Sequence, residues 1–209
     1  MRRSTKDAAP FSSGRRSLLG GAACAAVLSS ASRAANAAGS VESCLGLADA
    51  EAHGATRVLG SGAEVFVGDL ISTHEAARLV MLLGVATRIH MGGSVRMRID
   101  KYLAETRGEL HFESGPVLLD RNEGAPAMDL RLRSPFGAIA LRGTRFFAGP
   151  SKGVFGVFVE RGIVDFTAGG RTVRLTAGEG SDVRRPGGTP TAPSRWSSER
   201  ALDALSSVY

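Results

Sequence analysis

Glycine and proline interrupt the run from Ser134 to Glu179 so often that it can form only short strands joined by turns. Ser134-Pro-Phe-Gly opens a block that continues Ala138-Ile-Ala-Leu-Arg-Gly-Thr-Arg-Phe-Phe-Ala148. A second apolar run covers Gly156 to Phe166, and Leu175-Thr-Ala-Gly-Glu179 closes the region. Pro135 biases Ser134 towards extended geometry. Gly137 and Gly143 admit backbone conformations that side chains forbid. Within the block Ile139 and Leu141 face one way, and Ala138, Ala140 and Arg142 the other. The small alanines permit two layers to approach closely.

The same reading extends upstream. Val65-Phe-Val67 runs into the turn pair Gly68-Asp69, and Leu70-Ile-Ser-Thr73 resumes the strand. His74 to Ala77 is a polar excursion before the apolar run Arg78 to Leu83. Ile89-His-Met91, Val95 to Ile99, Glu109 to Glu113 and Met128 to Arg133 alternate apolar and polar residues, the period-2 signature of half-buried strands. Asp120 to Pro126 is a polar loop. Gly84 to Met97 resembles Gly162 to Leu175, each reading turn, strand, Gly-Gly turn, strand. Stacked units of that kind would make a solenoid, whereas unrelated hairpins would make an ordinary β-sandwich. The expected fold is therefore all-β: a β-solenoid-like or β-sandwich stack of short strands, with a short C-terminal helix.

The flanks differ in composition. Residues 38–55 are rich in Ala, Gly and Ser and read as a linker before the β domain, residues 56–183. Residues 184–209 hold a Pro- and Gly-rich linker and then the helix. Ser197 suits its N-cap, and Ala201, Leu202 and Leu205 are expected to share its docking face. Together with Trp196 that face would dock on the domain itself or on a partner.

Residues 1–37 read as an export signal. Arg15-Arg16 precedes a mildly apolar stretch at about residues 18–28, too short for a membrane span of roughly 20 residues. Ala35-Asn-Ala37 then offers a small-x-small cleavage site. A twin-arginine pair implies export of a folded protein by the Tat route, so the expected location is periplasmic, with no stable membrane span after cleavage. Six basic residues and one acidic residue lie in this signal. The net charge of +6 therefore falls to about +1 for the rest of the chain. The sequence pI of about 10.1 is then no argument for a nucleic-acid partner, which needs a basic patch on the folded domain. Of the two cysteines only Cys44 lies outside the signal, so no internal disulfide is possible there.

Catalytic and metal-binding patterns are missing. His53, His74, His90 and His111 make no HxH or HxxxH pair, so no metal or cofactor site is expected. Gly92-Gly-Ser94 and Gly169-Gly-Arg171 read as hairpin turns rather than phosphate loops. Glu109, His111 and Glu113 share one strand face. They could form an acid cluster for hydrolysis of envelope polysaccharide, or simply a solvated face.

The motif order resembles the periplasmic FecR-type domain. Its Thr-Pro-x-Gly-x-x-x-Val-Arg-Gly-Thr-x-Phe pattern stands here as Ser134 to Phe146, with Ser134 for Thr and Leu141 for Val. Its Gly-Asp-x-Ile-x-Thr stands as Gly68 to Thr73, and its Leu-x-Ala-Gly-Glu as Leu175 to Glu179. Leu83-Gly-Val85 stands where Asp-Gly-Ser is usual. The resemblance covers about residues 56–183. It implies a stand-alone, exported, non-enzymatic binding, scaffold or sensory module of the cell envelope, whose partner is an envelope protein or glycan. The alternative is the periplasmic component of a split sigma/anti-sigma system responding to iron or envelope stress. Arg142, Thr144 and Trp196 are the candidate contacts to a ligand or partner.

Overall fold

Alternating side chains build the sheet as the sequence leads one to expect. The computed structural model describes residues 37–103 and 106–209, with Arg142 described through its backbone. Among them are sixteen strands and one helix: β1 (Ala37–Leu45), β2 (Ala48–Ala52), β3 (Ala55–Val58), β4 (Glu64–Phe66), β5 (Leu70–Thr73), β6 (Arg78–Leu83), β7 (Thr87–Met91), β8 (Arg96–Leu103), β9 (Arg107–Ser114), β10 (Val117–Arg121), β11 (Asp129–Ser134), β12 (Gly137–Ser151), β13 (Val154–Ala168), β14 (Arg171–Thr176), β15 (Glu179–Val183), β16 (Ser194–Arg195) and α1 (Ser198–Ser206). The export-signal reading falls outside the described residues, apart from Ala37 at the start of β1.

One continuous hydrogen-bonded sheet contains all the strands and doubles over on itself. The first layer runs β3-β2-β5-β8-β9-β11, then the first half of β12, the second half of β13, and β14. The second runs β4-β1-β6-β7-β10, then the second half of β12, the first half of β13, β15 and β16. The long β12–β13 hairpin therefore belongs to both layers. Every pairing is antiparallel except β9 with β11, so the strands form a sandwich-like double layer rather than the parallel coils of a solenoid.

The inward faces of the two layers meet in one apolar core. Ile71, Met97, Ile99, Leu110 and Phe166 come from the first layer, and Met81, Ile89, Met91, Phe146 and Val157 from the second. Two contacts tie the layers directly. The Tyr102 hydroxyl of β8 donates to the Leu83 carbonyl of β6 at 2.8 Å. Phe112 of β9 and Phe155 of β13 lie 6.1 Å apart, centroid to centroid.

Three expectations are corrected. The segment 38–55 is not a linker: β1 pairs with β4 and β6, and β2 with β3 and β5. Its small residues serve close packing, with Ala38, Val41, Ala48 and Ala50 buried. A Cβ on Gly39 would come 1.9 Å from the Leu82 carbonyl oxygen. The second correction concerns the sequence repeat. Gly169-Gly170 closes the β13–β14 hairpin, whereas Gly92-Gly-Ser94 carries the chain from β7 in the second layer to β8 in the first. The two stretches are thus not equivalent units. Third, Leu202 points outwards at 67% exposure, and Ala204 and Val208 are buried in its place beside Ala201 and Leu205.

Candidate functional site

The Ser134–Ala148 block forms the corner of the doubled sheet. Ser134 closes the β11–β12 turn, its Oγ accepting from the Phe136 amide at 3.2 Å and donating to the Gly137 carbonyl at 3.1 Å. Ile139 and Leu141 then point into the core. After the corner the even-numbered Thr144, Phe146 and Ala148 do so. One extra residue, Gly143, produces this change of parity, and the pairing with β13 is irregular between Arg142 and Phe146. β13 changes parity at the same level, from Val157 and Val159 to Val164 and Phe166. Gly143 and Gly162 hold φ of 57° and 88°, the left-handed region that favours glycine. A strand that switches layers needs such a bulge to turn the corner.

Arg142 lies on this corner with its backbone opposite Ile163. Thr144 is fully buried, and its Oγ1 has no partner among the described residues. These two candidate contacts flank Gly143 at the corner, with the Thr144 side chain turned inward. The other motif residues serve turns. Asp69 is buried and accepts from the Phe66 amide at 2.7 Å and from Arg57 at 2.5 Å. The Thr73 hydroxyl donates to the Gly92 carbonyl at 2.6 Å and accepts from the Val95 amide at 3.0 Å. Glu179 accepts from the amide and hydroxyl of Thr176, which hold its carboxyl below the usual range.

The outer face of the first layer is charged and uncovered by other elements. Glu109, His111 and Glu113 share it, as their alternation in β9 requires. Both carboxylates are engaged: Arg133 binds Glu109, and Arg96 binds Glu113 at 2.9 Å. Four residues along a strand separate the two by roughly 13 Å. Paired glycosidase acids stand about 5–9.5 Å apart, so the spacing does not suit that reaction. Among the described residues no group of three potential ligands could hold a metal ion. Cys44 is half-buried, its Sγ 3.6 Å from the Gly46 carbonyl, and burial pushes its thiol up.

The outer face of the second layer is covered by the chain's own C-terminal segment. Leu118, Phe147 and Phe158 turn outwards from β10, β12 and β13 and pack against Trp196, Ala204 and Val208. Trp196, the third candidate contact, stacks on Phe158 with centroids 5.1 Å apart. Gly156 and Gly180 make its slot: a Cβ on either would come within 2.8 Å and 2.2 Å of the indole. Ser197 caps α1 as expected, accepting from the Arg200 amide at 3.2 Å. Arg200 donates to both Asp182 oxygens, at 2.7 and 3.1 Å, and to the Ser151 hydroxyl at 3.0 Å. At the far end the ring of Tyr209 meets His90 edge-on at 5.2 Å, and its hydroxyl accepts from Arg145 at 2.5 Å. Burial, and then the Arg145 charge, push the His90 imidazole below its ordinary value.

Sequence reasoning found Trp196 and the helix but missed Arg200, Asp182, His90 and the glycine slot. The arginine four residues after Trp196, in the first turn of the expected helix, was the available signal. The slot had none, because Gly156 and Gly180 meet Trp196 only through tertiary packing.

No family model and no curated protein matches the chain. Two crystal structures of a putative anti-sigma factor from Parabacteroides distasonis ATCC 8503 resemble it, with TM-scores of 0.52 and 0.53 at 18% and 17% identity. The alignments cover 65% of this chain and 64% and 63% of those chains, so the match spans less than two thirds of that protein. At such identity the likeness is one of fold. Among the described residues no helix is long and apolar enough to cross a membrane.

Proposed function

We propose that this chain is a non-enzymatic, FecR-type β domain of the cell envelope that works by protein contact in sigma/anti-sigma signalling. The fold carries the reading: the doubled sheet is similar to that of the Parabacteroides protein over 65% of this chain. The FecR-type motif residues support it by their position, since they form the corner and the turns of that fold rather than a reaction centre. The ion pairs on Glu109 and Glu113 further favour contact over catalysis.

Deletion of the gene is expected to change transcription from promoters of an extracytoplasmic sigma factor, with restoration by the full chain. Unchanged transcription under both iron limitation and envelope stress would sink the proposal. Export has its own test. Replacing Arg15 and Arg16 by lysine should leave the protein in the cytoplasmic fraction, and undiminished export would refute the Tat assignment.

A further inference from the structure

We infer that the segment Ser194–Tyr209 is a displaceable internal ligand, and that the groove beneath it docks a partner segment of the same chemistry. That chemistry is an amphipathic helix led by an indole, with an arginine four residues on. The inference stands independently of the signalling proposal.

The segment forms an apolar cluster of its own. The body of the sandwich contributes Leu118, Phe147 and Phe158 to it, and the inner core lies on the opposite face of the same strands. Undocking would expose those three side chains and leave the core between the layers in place. Contiguous apolar patches of this kind mark interaction sites when uncovered.

The groove is shaped for its occupant. Glycine stands at three places where the segment comes close: Gly156 and Gly180 under the indole, and Gly92 against the Ser207 carbonyl, where a Cβ would come within 2.2 Å of the oxygen. Asp182 and Ser151 receive the arginine, whose guanidinium also lies 3.7 Å from the indole centroid. Indole slot, apolar strip and carboxylate together specify the ligand.

The internal occupant fits this groove imperfectly. Trp196 Nε1 and His90 Nδ1 are sealed from solvent with no partner among the described residues, a penalty that favours release. α1 has nine residues and no basic residue in its last turn, so it is marginal without its docking face. Its tether, residues 184–193, contains Pro186, Pro190 and Pro193 and is mostly exposed, anchored at the buried Pro190, by Gly187 on Pro135 and by Thr191, which bonds to Ser181 and Asp182. A partner helix that carries an acceptor for its own indole N–H, or a longer docking face, would compete.

The test uses the full chain with a protease site inserted between Gly187 and Gly188, and a fluorescent synthetic peptide of residues 194–209. The cut protein is expected to take up the peptide at least tenfold more tightly than the uncut protein, measured by anisotropy. Peptides carrying Trp196→Ala or Arg200→Ala should lose at least tenfold. A cut protein that keeps its β-sheet circular dichroism but takes up no peptide would overturn the inference, as would equal binding of the Trp196→Ala peptide. If cutting unfolds the chain, the uncut protein bearing both substitutions replaces it. That protein, folded, must bind the wild-type peptide, and failure to do so is equally fatal. A wild-type chain that exchanges this segment between two copies, seen as a dimer by light scattering, would assign the groove to self-association and overturn the partner reading.

Discussion

Arg200 covers Trp196: its guanidinium carbon lies 3.7 Å from the indole centroid, while its amino nitrogens hold Asp182. Below the ring Gly180 leaves no room for a side chain, since a Cβ there would come 2.2 Å from Nε1. Gly180→Ala is therefore expected to force the indole out. The cost should be about 1–3 kcal/mol, as for other overpacked sites. Trp196 is the only tryptophan, so a red shift of its fluorescence reports the movement directly. An unshifted spectrum would place the indole elsewhere.

The two corner glycines should differ in tolerance. Gly143 (φ 57°) has open space where a Cβ would go. Gly162 (φ 88°) would place its Cβ 2.6 Å from Thr144 Cγ2. Gly143→Ala should cost about 1–2 kcal/mol from left-handed geometry alone, and Gly162→Ala clearly more. Urea denaturation of the two variants checks the order, and equal losses would argue against the close approach at the corner.

Thr144→Val is expected to be neutral or stabilising, by up to about 1 kcal/mol. Its hydroxyl is buried without a partner, and removing such a group relieves a desolvation penalty while keeping the shape. The melting temperature reads this out. A marked fall in Tm would mean that the hydroxyl has a partner.

His90 gives the chain an acid-sensitive element. Its imidazole is held below the ordinary value of about 6.5, first by burial and then by Arg145, with Arg88 adding to the effect and Asp120 and Glu42 opposing it. As pH falls below about 6.5 the unfolded chain takes up the proton first, so this contribution to stability declines and levels off below the folded value. The stability difference between wild type and His90→Phe should therefore change between pH 7.5 and pH 5, shifting in favour of the variant on acidification. A difference independent of pH would refute the assignment.

Much of this architecture is local and was legible in the sequence. Alternation in Glu109 to Glu113 and Met128 to Arg133 specifies strands with one wet face, because side chains on a strand change sides at every residue. Gly169-Gly170 and the Ser134 turn are equally local. Residues 38–55 read as a linker because small residues suit loops and tightly packed strands alike, and the pairing of β1 and β2, with the Leu82 carbonyl beside Gly39, separates the two cases.

By itself, then, the sequence determined that the chain is all-β, where its turns fall, and that a short capped helix ends it. Tertiary structure alone decided which strands pair, that Gly143 and Gly162 form the corner joining two layers, and that Trp196 docks on its own domain. These depend on hydrogen bonds and contacts between residues far apart in the chain. The distance from Arg200 to Asp182, or from Trp196 to Gly156, is set by the doubled sheet and by no local preference of either residue.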